Sequence, residues 1–483
     1  MFLGLHGVPS LVVERHAGTS LHPKARGQFP HTMEVLRLAG VDQQVMAASP
    51  PGFEFRIVIA QTAVGPVFNE ILVNDAGPDL TAFSTAGWAN TSQEQVEPIL
   101  AARARELGAE IKFSTEIESF TQDDDGVTAV LRDLSTGERE TVRADYLVGA
   151  DGHRSPIREA LGIGQTGRGV LGTGVSAIFE ADLGDVLPRN ALVYLQNPEL
   201  AGGGGAIVTT DDPKRYAIGV GAGEYSDERW IELIRIAAGI PDLDVTLIET
   251  GANTDTKHWV ADRFSSGRVH LVGDAVRVMP PTGAFGGNTA ILDGFYLAWK
   301  LAMVVKGEAG PRLLDSHTAE RRPYSQFIAE QQYTFYVERM QPDLDDGTLT
   351  PMAEPFSMAF FGYRHISDAV VLEPGDDGEL LEPEATGRPG SRAPHVLVRV
   401  DGREISTIEL LGRGFVVLTG SQHWVEEASS LGLTSYLLED SEWAKAYGIT
   451  PEGAVLVRPD FFVAWRTLDA SGDLAAVLRQ ITG

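Results

Sequence analysis

Glu14 closes the apolar run Ser10-Leu11-Val12-Val13. An acid at a strand end is where a dinucleotide-binding fold hydrogen-bonds an adenosine ribose, normally about 20 residues beyond a GxGxxG turn. No such turn precedes it here, and alone an acid at a strand end specifies little. A second stretch, Asp145-Tyr146-Leu147-Val148-Gly149-Ala150-Asp151-Gly152-His153-Arg154-Ser155, reads as a buried strand, a glycine turn and a helix beginning near Pro156. That order sets backbone N–H groups and a positive helix end at the carboxyl edge of a sheet. Gly152 also suits a tight turn with no ligand at all. The third stretch is Gly273-Asp274, then Pro280-Pro281-Thr282-Gly283-Ala284-Phe285-Gly286-Gly287-Asn288, then Asp293 and a helix through Trp299. A carboxylate at Asp274 can accept from a polyol hydroxyl. The glycines let N–H groups approach a flat, electron-accepting ring, and Pro280 and Pro281 stiffen the loop.

The elements that must position these groups are legible in outline. Met1 to Gly7 resembles the last turns of a helix closed by glycine, so the motif that ends at Glu14 starts midway. A basic loop, His22 to Gln28, leads to an amphipathic helix over 32–38. Residues 92–107 carry Val96, Ile99, Leu100 and Ala104 at helical spacing. Strands follow at 110–113, 117–122, 127–132 and 141–148, with Asp123-Asp124-Asp125-Gly126 as a hairpin tip. That acidic run lacks the spaced ligands of a calcium loop, and no metal site is expected. Residues 170–260 alternate apolar and polar, which predicts an antiparallel layer. A parallel-type strand at 268–274 then feeds a long helix over 289–305. The expected division is a dinucleotide-binding domain over 1–165 with β insertions near 53–90, a β-sheet substrate domain over 166–262, and a return of the first domain over 263–372. A Pro/Gly/Glu/Asp linker over 373–394 and a small α/β module over 395–483 complete it.

At 483 residues the chain holds two or three domains. A net charge of −28 repels phosphate backbones and anionic lipid, so nucleic acid and membrane surfaces are not expected partners. An anionic dinucleotide must be held by local cations or N–H groups against that field. The absence of cysteine removes disulfides, iron–sulfur clusters and thiol nucleophiles, and a reducing cytoplasm fits. No signal peptide and no run of about 18 apolar residues occurs.

Strand-Glu14-Arg15, the Lys24-Ala25-Arg26-Gly27 loop, Thr32-Met33-Glu34, Asp151-Gly152 and Gly273-Asp274 to Asn288 occur together. Their order resembles that of single-component FAD aromatic hydroxylases of the p-hydroxybenzoate hydroxylase type, most of all the anthracycline and angucycline hydroxylases of aromatic polyketide tailoring. The resemblance covers essentially the whole chain. It implies an α/β dinucleotide fold lacking its first strand, a β-sheet substrate domain and a thioredoxin-like C-terminal domain, whose cysteine chemistry is excluded here.

The resemblance also implies roles. Glu14 would bind the adenosine ribose, with Arg15 and either Arg26 or Lys24 near the adenosine diphosphate. Gln93 matches a glutamine that contacts FAD. Asp274 would hold the ribityl chain beside Pro281, the Gly286-Gly287-Asn288 backbone would face the pyrimidine end of the ring, and Asp151-Gly152 would serve FAD and transient NADPH or NADH. Tyr194 matches a substrate-touching tyrosine, although a strand tyrosine is otherwise ordinary core. Arg339 is the other catalytic candidate, and a helix-surface arginine is the plainer account of it. The family pattern is broken at Arg277, where histidine is common, at Phe285, where small residues are common, and at His31, where arginine often stands.

The implied activity is hydroxylation of a polycyclic, polyketide-type phenol with NAD(P)H and dioxygen through a flavin C4a-hydroperoxide, by a monomer or homodimer. Baeyer–Villiger oxygen insertion on the same fold, and a flavin-free protein that sequesters an aromatic metabolite, are the alternatives. The absent glycine turn predicts poor FAD binding and a start assigned roughly 15 to 25 residues late, judged from the usual fingerprint spacing.

Overall fold

In the computed structural model of the chain, the structure describes residues 1–20, 25–50, 54–74, 80–187, 190–353, 360–382, 386–439 and 441–483. Lys24 of the basic loop lies outside the described residues.

The dinucleotide-type strands form two separate parallel pieces. Ser10–Val13 pairs in parallel with Ala109–Lys112, and Leu147–Gly149 pairs in parallel with Val269–Leu271, which also carries the short antiparallel Ser265–Ser266. Among the described residues no strand pairs with the second edge of Ser10–Val13 or of Leu147–Gly149. Leu11 and Val12 are accordingly 38% and 41% exposed, unusual for an apolar strand of a parallel sheet. The short helix Phe2–Leu5 packs across the long helix Phe285–Val305, with Phe2 edge-on to Phe295 at 5.3 Å.

A seven-stranded sheet forms the second layer, in the order Thr246–Asn253, Gly174–Glu180, Arg215–Gly221, Gly205–Thr209, Ala191–Leu195, Glu54–Ala60, Val67–Asn74. The two strands within 54–74 therefore complete this sheet instead of decorating the first domain. They join through a parallel pairing of Ala191–Leu195 with Glu54–Ala60. Strict alternation along Ala191–Leu195 buries Ala191, Val193 and Leu195 against a core shared with Trp230, Leu233 and Ile234. Tyr194 is turned to the opposite face. The helix Asp227–Ala238 that supplies that core begins at a Ser226 cap and stops at Gly239, whose φ is 77°.

The C-terminal module has strand order Thr434–Leu437, Val416–Thr419, Ala454–Val457, Val463–Thr467, with the first pair parallel and the others antiparallel. This β-α-β then β-β-α order is that of a thioredoxin-like sheet. The expected linker is no loose tether in its described part. Ser391, Arg392 and Ala393 are buried, and Arg392 clamps Glu34 of the helix Pro30–Leu38 with two bonds of 2.6 Å. Burial alone would raise the Glu34 carboxyl, but the Arg392 guanidinium and a bond from His31 bring it down to about 2.

A second buried network closes the same interface. Glu320 accepts from Lys300 at 2.5 Å and Arg458 at 2.6 Å, all three side chains fully enclosed, and from the half-buried Ser367 at 2.6 Å. Glu320, His365 and Asp460 cluster as metal ligands do, yet Lys300 and Arg458 already supply the positive charge that their carboxylates require.

Candidate active site

The site is built where the strand Val269–Leu271 ends. Gly273 takes φ 64°, a left-handed turn that favours glycine, and its N–H donates to Asp293 Oδ2 at 3.0 Å. The turn leaves Asp274 exposed at the sheet edge. Asp293 is itself held by Arg277 Nη1 at 2.7 Å and by Arg321 Nε at 2.9 Å, so one buried carboxylate serves two buried guanidiniums and the turn. Burial opposes its ionisation, and the two arginines outweigh burial and keep its pKa below the ordinary range.

Downstream, Pro280 and the exposed Pro281 lead to Thr282, whose hydroxyl donates to the Gln332 carbonyl at 2.8 Å. Ala284 then adopts φ 59° and starts the 21-residue helix Phe285–Val305. A Cβ at Gly286 would meet nothing within 4 Å, whereas one at Gly287 would lie 3.2 Å from the Ala25 Cβ. The helix start thus presents an open, side-chain-free surface at its positive end, which suits the electron-rich edge of a flat ring.

Asn288 has a different task from its backbone. Its Oδ1 accepts from Phe29 N at 2.9 Å and Thr32 Oγ1 at 2.6 Å, while Nδ2 donates to Gly27 O at 2.9 Å and Ala284 O at 2.8 Å. All four of its hydrogen-bonding positions are spent on fixing the 25–32 loop against the helix start. Gln93 joins this cluster through its N–H, which donates to Ala25 O at 2.8 Å, and its side chain turns to Glu97 at 2.5 Å. Arg26 reaches Asn90 O at 3.0 Å and pairs with Asp211 of the seven-stranded sheet, so its guanidinium points at that sheet's loop.

Asp151 caps the helix Pro156–Ala160, accepting from Ser155 Oγ at 2.5 Å and Ile157 N at 2.9 Å, while Gly152 takes φ 79°. Arg158 ties that helix to Ala275 O at 3.0 Å, which sets the Asp151-Gly152 turn beside the Asp274 turn. Glu14 sits at the exposed end of its strand and accepts from His16 N at 2.8 Å, and Arg15 is exposed. Among the described residues no glycine-rich turn links the Ser10–Val13 and Leu147–Gly149 edges.

Tyr194 of the sheet lies within electrostatic reach of Arg339, at the end of the helix Asp315–Arg339. Burial pushes the Tyr194 phenol up to about 12 against the opposing pull of the Arg339 guanidinium. Arg339 Nη1 also approaches Thr282 O at 3.4 Å and stacks over Phe335 at 4.1 Å. The sheet, the helix and the glycine loop therefore meet at one place.

The three departures from the family pattern are all buried. Arg277 serves Asp293, with further bonds to Thr289 Oγ1 at 3.2 Å and Ser325 Oγ at 3.1 Å. Phe285 packs on Phe29 at 4.9 Å and Phe360 at 5.1 Å. His31 bridges Glu34 at 2.9 Å and Tyr296 at 2.6 Å. What sequence reasoning missed is the weight carried by Asp293. The signal was present, because a lone carboxylate inside an apolar helix demands a buried cation.

This arrangement, a split dinucleotide sheet joined to a broad, mostly antiparallel layer with a glycine-bearing turn and helix start between them, defines a flavoprotein monooxygenase of the aromatic-hydroxylase class. Residues 1–332 match the FAD binding domain family and residues 386–483 match the aromatic-ring hydroxylase C-terminal family. The chain is 38% identical to the 4-methyl-5-nitrocatechol 5-monooxygenase of Burkholderia sp, over 99% of this chain and 93% of that protein. It is 38% identical to the aklavinone 12-hydroxylase of Streptomyces purpurascens, over 100% of this chain and 95% of that one. The crystal structure of aklavinone-11 hydroxylase with FAD and aklavinone superposes with a TM-score of 0.91 at 38% identity, over 100% of this chain and 96% of that chain. The chain belongs to the FAD-dependent aromatic-ring hydroxylases. No helix of the described residues is long and apolar enough to cross a membrane.

Proposed function

We propose that this chain hydroxylates an electron-rich carbon of a fused-ring, polyketide-type phenol, taking electrons from NADPH or NADH and one oxygen atom from dioxygen. The observation that carries the reading is Arg339, which reaches the Thr282 carbonyl just before the Phe285 helix start while its charge acts on the buried Tyr194 phenol. The open surface at Gly286 and the exposed carboxylate of Asp274 fit FAD. The backbone of Gly286, Gly287 and Asn288 would hold the ring, Asp274 and Pro281 the ribityl side, and Gln93, Arg26, Glu14, Arg15 and the Asp151-Gly152 turn the remainder. FAD, when bound, accepts two electrons from the nicotinamide and activates dioxygen.

The protein's own contribution is electrostatic and positional. With its pKa pushed up to about 12, the Tyr194 hydroxyl stays protonated at working pH and donates to the substrate's phenolic oxygen. Arg339 keeps its charge and stabilises that oxygen as phenolate, which raises electron density on the ring carbons. The seven-stranded sheet behind Tyr194 is broad enough to floor several fused rings, and it excludes water from the reacting face.

Tyr194→Phe should slow hydroxylation by roughly 5- to 150-fold, the worth of one such hydrogen bond, while leaving flavin reduction unchanged. Rapid-mixing kinetics separates the two steps, and an unchanged hydroxylation step would remove Tyr194 from the site. Tricyclic and tetracyclic phenols should stimulate NAD(P)H oxidation where p-hydroxybenzoate does not, and the converse result would end the polyketide assignment. Product NMR separates ring hydroxylation from Baeyer–Villiger insertion. The absence of cysteine fits a reducing cytoplasm, and the charge of −28 disfavours anionic macromolecular partners.

A further inference from the structure

Gln332 lies two turns before Arg339 on the helix Asp315–Arg339, with Tyr336 between them, so the three share one face. It is only 1% exposed. Its carboxamide fills the space a side chain at Gly283 would need, with Oε1 at 2.6 Å and Nε2 at 2.9 Å from that Cβ position. The Thr282 hydroxyl donates to the Gln332 carbonyl and lies 3.2 Å from Oε1, yet Nε2 finds no hydrogen-bond partner among the described residues. A buried amide that donates to nothing is costly, and native interiors rarely tolerate one unless a ligand or water completes it. Here the unpaired group lies against the glycine loop that also carries Arg339's partner carbonyl, at the rim of the Tyr194–Arg339 site.

We propose that Gln332 is a specificity-determining residue whose Nε2 donates to a ring carbonyl oxygen of the substrate, so the site selects hydroxyquinones over hydroxyarenes that lack the carbonyl. Tyr194 and Arg339 read the phenolic oxygen, and Gln332 reads a second oxygen displaced along the fused rings. The proposal rests on the site reading given above. A site built to donate to an oxygen rejects the analogue lacking it, because its own buried donor is then left unpaired.

The test is a binding titration of the FAD-loaded chain with two probes, a hydroxyanthraquinone and the hydroxyanthracene bearing its hydroxyl on the same carbon. The unmodified chain should prefer the quinone by roughly tenfold to a hundredfold. Gln332→Met, close in shape but without the N–H, should erase that preference while FAD affinity and thermal midpoint hold. Gln332→Glu, which places an acceptor there, should reverse it, and it serves as the readout if the methionine variant does not fold. Tyr194→Phe should weaken both probes alike. A preference that survives in Gln332→Met, or an equal loss for both probes in that variant, overturns the assignment of Gln332 and leaves the site reading standing. Failure of the unmodified chain to bind either probe overturns the site reading and this inference with it.

Discussion

Asp293→Ala should destabilise the chain by about 3 to 5 kcal/mol or more, the usual cost of stripping one partner from a buried ion pair. Two guanidiniums depend on this single carboxylate, Arg277 at 2% and Arg321 at 0% side-chain exposure. The Gly273 N–H loses its acceptor in the same stroke. A loss of that size is a large part of the roughly 5 to 15 kcal/mol that holds an ordinary domain together, so much of the variant should be insoluble. Whatever folds should bind FAD weakly, because the turn that presents Asp274 is no longer pinned. Asp293→Asn keeps an acceptor but no charge and should fall between. Chemical denaturation reads the difference, and an Asp293→Asn protein within about 1 kcal/mol of the parent would show that aromatic stacking of Arg321 on Tyr296 and Tyr324, at 4.7 and 4.6 Å, carries that charge instead.

How far the sequence disclosed this structure depends on whether the signal was local. The long helix was visible from its apolar run, but its start at Phe285 rather than 289 depends on Ala284 at φ 59°, a conformation no propensity announces. The strands within 54–74 were visible as β-prone segments and assigned to the wrong layer. Their partner, Ala191–Leu195, lies far along the chain, and a parallel crossover of that length leaves no local mark. The helix Asp227–Ala238 was hidden by reading 170–260 as one antiparallel layer, although Trp230, Leu233, Ile234 and Ala237 follow helical spacing after a Ser226 cap. The segment 373–394 looked like a tether because of its Pro, Gly and acidic content. Arg392 overrides that composition, since its charge is needed opposite Glu34.

The site followed the same rule. Gly273 was legible because glycine marks backbone geometry in the sequence itself, whereas Gly286 and Gly287 stand in the first turn of a helix and not in the expected loop. The family match makes FAD the cofactor of this chain and sets aside a flavin-free role. Tyr194 was legible as a strand residue, and alternation then decides that it faces away from the Trp230 core. That the Arg339 charge acts on Tyr194, and that Asp151 spends its carboxylate on a helix start, are facts of tertiary placement that single residues do not carry.

Acid should unfold this protein in two stages, the first beginning well above the carboxylate range. His31, His270, His317 and His365 are each at most 1% exposed. Burial brings His270 down to about 3 and His317 down to about 4, and it lowers His31 and His365 as well. A histidine whose folded pKa lies below the unfolded value of about 6.5 binds its proton more readily in the unfolded chain, so stability is present above that value and falls as pH drops toward the folded pKa. Each such group costs about 1.4 kcal/mol per pH unit inside that window. At pH 5 the His270 and His317 rings alone therefore remove about 4 kcal/mol in total, with the other two acting in the same direction. The Glu34 carboxylate, held at about 2, adds its loss only below about 4.5, which is the second stage. His317→Gln should flatten the first stage by about one proton's worth of slope, since a glutamine amide can still donate to Leu271 O, the bond that His317 Nε2 makes at 2.9 Å. Denaturation midpoints measured from pH 8 to pH 4 give the slope directly, and a stability curve that stays level between pH 7 and pH 5 would show that these rings take up protons without unfolding the core.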